Sequence, residues 1–205
     1  MRIALTFDDG PNNITTCHVL DMLEKYNVKA SFFLIGQNIT KESISSMERE
    51  LKDGCTIECH SWTHPAFTDL TSQQMIDEVE STNKKIQEVT GTKPVFFRPP
   101  YIALNDLLFD TIKMPFIQGR GLEDWVFEIP AQKKAHDIVE NICDGEIILL
   151  HDMTGNETTA QALDIAIPQL LEKGAEFYTI RDLFKVCNVD PQRKPGEKTI
   201  WTHLF

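Results

Sequence analysis

The chain has 205 residues, 41% hydrophobic and 25% charged, with ten Gly and ten Pro. That length favours one domain with a real hydrophobic core, and the composition excludes collagen-like, low-complexity and wholly disordered chains. Acidic residues outnumber basic ones by 31 to 20, giving a formal net charge of −11. No Lys/Arg cluster is dense enough to track phosphates, so neither nucleic acid nor an anionic membrane is expected as a partner.

No stretch reaches the roughly eighteen apolar residues of a membrane span. The start, Met1 to Asp9, carries charge where a secretory leader needs unbroken apolarity, so a cytoplasmic location is expected, or a secreted one if a leader has been removed. The five cysteines, Cys17, Cys55, Cys59, Cys143 and Cys187, are odd in number and scattered. They fit reduced core thiols better than a disulfide framework, and Cys55 and Cys59 lack the spacing and the second pair of a zinc knuckle.

In chain order, a strand is predicted at Ile3–Phe7, followed by a helix on Val19, Met22, Leu23 and Tyr26. Strands follow at Ala30–Ile35 and Cys55–Cys59, separated by a segment that begins near Thr40 and ends at Gly54. Met75, Val79, Thr82, Ile86 and Val89 repeat at helical spacing, with Thr71 and Gln74 as a capping box at the start. Further strands are predicted at Pro94–Phe97, Pro115–Gln118, Glu146–Leu150 and Glu176–Thr179, with a helix on Leu163, Ile167, Leu170 and Leu171 that stops at Gly174. Strands alternating with helices imply an α/β fold on a mostly parallel sheet. About seven strands in this length imply a distorted or incomplete (β/α) barrel, since eight full units take about 250 residues. Residues 1–187 form the domain, and 188–205, mixing Pro, Gly and charge, are read as its C-terminal surface tail.

The polar residues of chemical interest fall after the strands: Asp8 and Asp9, His60 and His64, Arg98, Asp124, and His151 with Asp152. In a parallel barrel all these strand ends open on one face, where active sites are assembled. Taken singly, Asp8-Asp9-Gly10 is also an ordinary turn with solvated acids, and His60 and His64 also fit two unrelated polar residues. Together, Asp9, His60 and His64 make a two-histidine, one-carboxylate set with positions left for water or substrate, a catalytic rather than a structural metal site. Such a set also serves iron oxygenases, so it does not fix the reaction. Ser61, standing where a zinc protease has Glu, excludes that mechanism. Arg98 needs a carboxylate if buried, and Asp8 is the natural one. His151 follows a four-residue apolar run, and Trp125 reads equally as core or as a sugar platform. No G-x-S-x-G segment supports a serine esterase.

The ordered set Thr6-Phe7-Asp8-Asp9-Gly10-Pro11, His60-Ser61-Trp62-Thr63-His64, Arg98-Pro99-Pro100-Tyr101, Asp124-Trp125 and Leu149-Leu150-His151-Asp152 resembles the five motifs of the polysaccharide deacetylases, the NodB homology domain of carbohydrate esterase family 4. The resemblance covers roughly residues 1–187. It implies a distorted (β/α) barrel, Asp8 as general base, His151 as general acid, Arg98 holding the base, and Asp9, His60 and His64 as ligands of one divalent ion. That ion is expected to be zinc, with cobalt, nickel or manganese as substitutes. It also implies that the Tyr101 amide, after Pro99 and Pro100, holds the oxyanion, and that Trp125 and Leu149 line the acetyl pocket. The expected reaction removes acetyl groups from a carbohydrate. Residues Phe96–Tyr101, Gly121–Trp125 and Thr159–Gly174 look most like the bacterial acetylxylan esterases, which favours O-acetyl groups of xylan over the N-acetyl groups of chitin or peptidoglycan. A carbohydrate-binding module without catalysis is the reading of another class. One departure stands out: many relatives carry an acid three residues before the aspartate of the Asp-Trp pair, where this chain has Gly121. Either Asp124 takes over the tuning of His151 or another group does.

Overall fold

Strands and helices alternate through the whole of the computed structural model, which describes residues 1–205. The strands are β1 (Arg2–Asp8), β2 (Ala30–Leu34), β3 (Thr56–Cys59), β4 (Phe116–Ile117), β5 (Arg120–Gly121), β6 (Glu146–His151), β7 (Glu176–Phe177) and β8 (Ile200–Trp201). The helices are α1 (Thr15–Tyr26), α2 (Ile44–Lys52), α3 (Ser72–Thr90), α4 (Asp106–Thr111), α5 (Ala131–Val139), α6 (Glu157–Glu172) and α7 (Ile180–Val186). No helix is long and apolar enough to cross a membrane.

The main sheet runs in the order β3-β2-β1-β6-β5, with β7 also on β1, and its named pairings are parallel. Beyond β3 the ladder thins to bridges from Cys59 to Phe97 and from Phe97 to Phe116, and β4 then pairs with β8. Because β4 and β5 are the two ends of one stretch of chain, the path that leaves through β4 returns to β6 through β5. The result is an α/β fold, a distorted and incomplete (β/α) barrel.

Strand parity divides the interior. Ile3, Leu5 and Phe7 of β1 join Ile148 and Leu150 of β6 in the core beneath the helices, while Ala4 and Ile147 face the other way, with Phe33, Phe96 and Ile117. Thr6 and Asp8 share the parity of Ala4, and His151 that of Ile147, so all three point to the barrel side.

The sequence expectations hold for most elements, including the capping box of Thr71 and Gln74 and the helix end before Gly174. Pro94–Phe97 differs: only Phe97 bridges to neighbouring strands. Pro94 has no N–H, and the N–H groups of Val95 and Phe96 donate to the Glu58 carboxylate at 2.8 and 3.0 Å instead of to a ladder. Residues 188–205 are more than a surface tail. They supply β8, Trp201 packs edge-on to Phe184 at 5.2 Å, and Leu204 is buried.

One core residue opposes folding. Glu50 on α2 is wholly buried, and neither of its carboxyl oxygens meets a hydrogen-bond partner from the chain. Burial, with Asp152 adding to it, raises its pKa well above the ordinary value. A carboxyl raised in the fold is harmless at pH below its unfolded pKa and costs stability as pH rises above that value. Glu50→Gln should therefore stabilise the protein by about 1–3 kcal/mol at pH 7–8, about 2–4 °C in Tm per kcal/mol, and add little near pH 4. Thermal melts of both proteins across that range check this, and an equal gain at every pH would reject it.

Candidate active site

Parallel register assembles the site. Asp8 is the Cα partner of His151 across β1 and β6, and Leu34 pairs with Cys59 immediately before His60. Arg98 follows Phe97, and its N–H donates to the Cys59 carbonyl. Four residues far apart in sequence thus leave their strands at one level.

Arg98 is fully buried and Asp8 nearly so. The guanidinium donates through Nη1 to Asp8 Oδ1 at 2.6 Å and through Nη2 to Thr6 Oγ1 at 2.8 Å, and it lies 4.2 Å over the Phe33 ring. Thr6 passes its own hydroxyl proton to the Ile148 carbonyl at 2.7 Å. The pairing expected from sequence is present, and it leaves Asp8 Oδ2 turned to the cleft, 3.6 Å from His60 Nε2.

Asp9 Oδ1 lies 3.5 Å from His60 Nε2 and 3.3 Å from His64 Nε2, and it is a buried oxygen with no hydrogen-bond partner. Two ligands about 2.0–2.1 Å from one ion at a tetrahedral angle stand about 3.3–3.4 Å apart. The spacing therefore fits a shared divalent cation better than hydrogen bonds. His60 Nδ1 faces the Arg98 carbonyl at 2.7 Å; a carbonyl can only accept, so Nδ1 carries the proton and Nε2 keeps its lone pair. Burial alone would raise the Asp9 pKa, but the imidazole of His60 beside it, with those of His151 and His64 nearby, holds it down to about 2.

The backbone is strained here. Five of the nine non-glycine residues with positive φ, namely Asp9, Ser61, His64, Tyr101 and Ile102, belong to this cleft or to the loop between its histidines. The left-handed conformation costs such residues about 1–2 kcal/mol each, so the surroundings must impose it. Glu78 on α3 does part of this, accepting from the Trp62 and Thr63 N–H groups and the Thr63 hydroxyl at 2.7–2.8 Å. Gly10 is required where it stands, because a Cβ there would lie 2.6 Å from Asp152 Oδ2. Asp152 itself is wholly buried, which pushes its carboxyl up to about 7 although Thr16 donates to it.

On the opposite wall, His151 donates through Nδ1 to Asp124 Oδ1 and through its backbone N–H to Asp124 Oδ2, both at 2.8 Å. Asp124 thus stands where Gly121 left the question open. Its buried carboxylate also accepts from Thr159 Oγ1 at 2.9 Å, and Asn156 Nδ2 donates to the His151 carbonyl at 2.9 Å. Behind them Lys134, fully buried, spends its three protons on the Asp124 carbonyl, Asn156 Oδ1 and Thr158 Oγ1. Burial opposes the charged imidazole of His151, but the Asp124 contact prevails and raises its pKa.

Asp8, Asp9, His60, His64, Pro99, Tyr101, Trp125, Leu149 and His151 line one cleft of about 560 Å³, with Ile102, Gln118, Gly119, Gly121 and Met153. Arg98 and Asp124 stand behind it. Pro100 does not line it; buried, it accepts from Ala103 N–H while Pro99 accepts from Ile102 N–H, closing the turn without using the Tyr101 N–H. Trp125 lies edge-on to His151 at 5.1 Å and is 41% exposed, which decides for the cleft over the core. Glu78, Lys134, Asn156 and Thr159 escaped the sequence reading; a lysine in an otherwise apolar helix stripe was the only available signal. Replacing Asp124 by Asn leaves His151 buried beside a neutral amide, so its pKa should fall, as an NMR titration of the imidazole would show. An unchanged value would mean that another group raises it.

Residues 1–114 match the polysaccharide deacetylase family. Over 202 residues, 98% of this chain and 33% of the relative, the sequence is 43% identical to a bifunctional xylanase/deacetylase of Pseudobutyrivibrio xylanivorans. It is 38% identical to the peptidoglycan-N-acetylglucosamine deacetylase PgdA of Listeria monocytogenes, over 89% of this chain and 39% of that protein. The chain spans about a third to two-fifths of the length of these relatives. Among solved structures, the Xyl-CE4 domain of a multidomain xylanase from the hindgut metagenome of Trinervitermes trinervoides superposes with a TM-score of 0.95 at 42% identity, covering 98% of this chain and 97% of that one. A family 4 acetyl xylan esterase from Clostridium thermocellum, in complex with a cobalt ion, gives 0.95 at 36% identity over 100% and 99%. With its motifs gathered in one cleft and these similarities along its length, the chain belongs to the polysaccharide deacetylase family.

Proposed function

We propose that this protein is a metal-dependent hydrolase that removes acetyl groups from an acetylated polysaccharide or oligosaccharide, in the first place O-acetyl groups of xylan. The observation that carries the reading is the pairing of Asp8 with His151 at adjacent strand ends, each held by its own buried partner, beside the Asp9, His60 and His64 set. A divalent ion bound by that set supplies polarisation of the acetyl carbonyl and a water of lowered pKa. Imidazole and carboxylate donors suit zinc, and cobalt, nickel or manganese also suit an open site.

The chain's own groups then divide the proton transfers. Asp8 Oδ2, the oxygen not held by Arg98, takes the proton of the attacking water. The Tyr101 N–H donates to the oxygen that gains charge. His151, proton-charged under the influence of Asp124, gives a proton through Nε2 to the departing sugar oxygen. Leu149 and Trp125 flank the acetyl methyl and exclude water beside it. The resemblance to xylanase-linked domains and to an acetyl xylan esterase supports O-acetyl substrates. The similarity to PgdA favours a second reading, N-deacetylation of peptidoglycan-type N-acetylglucosamine, in which His151 would protonate nitrogen. A binding module without catalysis is the weaker reading, since every ionisable role is filled.

An acetate-release panel on acetylated xylan, chitin oligomers and peptidoglycan fragments tests this. Acetate should come fastest from xylan, stop with a chelator and return with zinc or cobalt. Asp8→Ala should lose about 10²–10⁴-fold in turnover with the fold intact; turnover that survives either treatment would reject the mechanism.

A further inference from the structure

Four large aromatics are exposed, namely Tyr101, Trp125, Phe127 and, at the chain end, Phe205. Tyr101 and Trp125 line the cleft itself. Phe127, 50% exposed and two residues beyond Trp125, serves no core cluster. Its ring tip rests over Gly155, 3.9 Å from where a Cβ would project, and the Gly155 N–H donates to Thr15 Oγ1 next to Ile14, which is 53% exposed. Met153, two residues before Gly155, lines the cleft. Phe127 and Gly155 each stand two residues along the chain from a residue that lines the cleft, Trp125 and Met153, and with Ile14 at the start of α1 they form an apolar shelf beside it. Its floor is a residue without a side chain.

We infer that this shelf is a binding subsite for a neutral pyranose unit next to the acetylated one, with the Phe127 ring stacked on its C–H face. The inference rests on the proposed deacetylase reading and extends it to the length and charge of the substrate. The place of the shelf beside the cleft selects a neighbouring unit of the same glycan, because a chain whose acetyl group reaches His151 must leave past one wall. An exposed aromatic at such a rim gains by covering apolar ring surface. Glu123 and Glu128 are exposed on either side of the Trp125–Phe127 segment, and Glu157 borders Thr15. Their charge disfavours glycans bearing carboxylates relative to uncharged ones.

Two substrates separate the subsite from the chemistry: acetylated xylo-oligosaccharides and an aryl acetate that carries no sugar. Phe127→Ala should raise KM for the oligosaccharide by about three- to tenfold with kcat unchanged, leave the aryl acetate unaffected, and be reversed by Phe127→Tyr. Calorimetric titration with deacetylated xylo-oligosaccharides reads the same site without turnover. Binding should weaken for Phe127→Ala, and oligogalacturonates of equal length should bind the wild-type protein less well than the neutral chain. Equal oligosaccharide affinity in wild type and Phe127→Ala, or an equal loss on both substrates, would overturn the subsite. A wild-type protein that hydrolyses neither substrate would overturn the deacetylase reading, and the titration would then decide the subsite alone.

Discussion

The parallel register of β1 between β6 and β2 is the constraint on which the site depends. It sets Asp8 against His151 on one side and against Phe33 on the other. In a strand, a slip by one residue turns each side chain to the opposite face. A slip of β1 would send Asp8 into the apolar core that now holds Phe7, and bring Phe7 to the Arg98 guanidinium. The apolar parity of Ile3, Leu5 and Phe7 against Ala4 and Thr6 therefore both stabilises the fold and aims the carboxylate.

Electrostatics then gives the two walls different characters. Arg98, with no access to water, makes the Asp8 carboxylate an acceptor with one oxygen occupied. A buried pair of this kind is costly to break and contributes modestly to stability, so its value here is orientation. On the other wall Asp124 fixes the tautomer and plane of His151, and is itself fixed by Thr159, Asn156 and Lys134. Between the walls, the strained loops bring Asp9 and His64 within reach of His60, which comes directly off a strand. Strain gathered at one cleft is the pattern of a site held ready for a ligand.

Legibility in the sequence followed the range of the interactions. Strands whose residues are buried on both faces, such as β1 and β6, announce themselves by apolar runs, and the helix α3 by its period and its capping box. Pro94–Phe97 misled because the competing acceptor, the Glu58 carboxylate, lies 37 positions away from Val95. The two-residue strands β5 and β8 carry no pattern to read, since their pairing is imposed by neighbours.

By itself, the sequence determined the α/β alternation, the order of the five motifs and the chemical type of every group in the cleft, because these follow from residue identity and local periodicity. Only the tertiary structure decided that the Asp124 carboxylate accepts from His151 Nδ1, that Lys134 is buried behind it, and that the Phe127 ring rests over Gly155. Each of these depends on contacts between distant elements, α5 and α6 with the loop after β5, and no local preference along the chain encodes such distances.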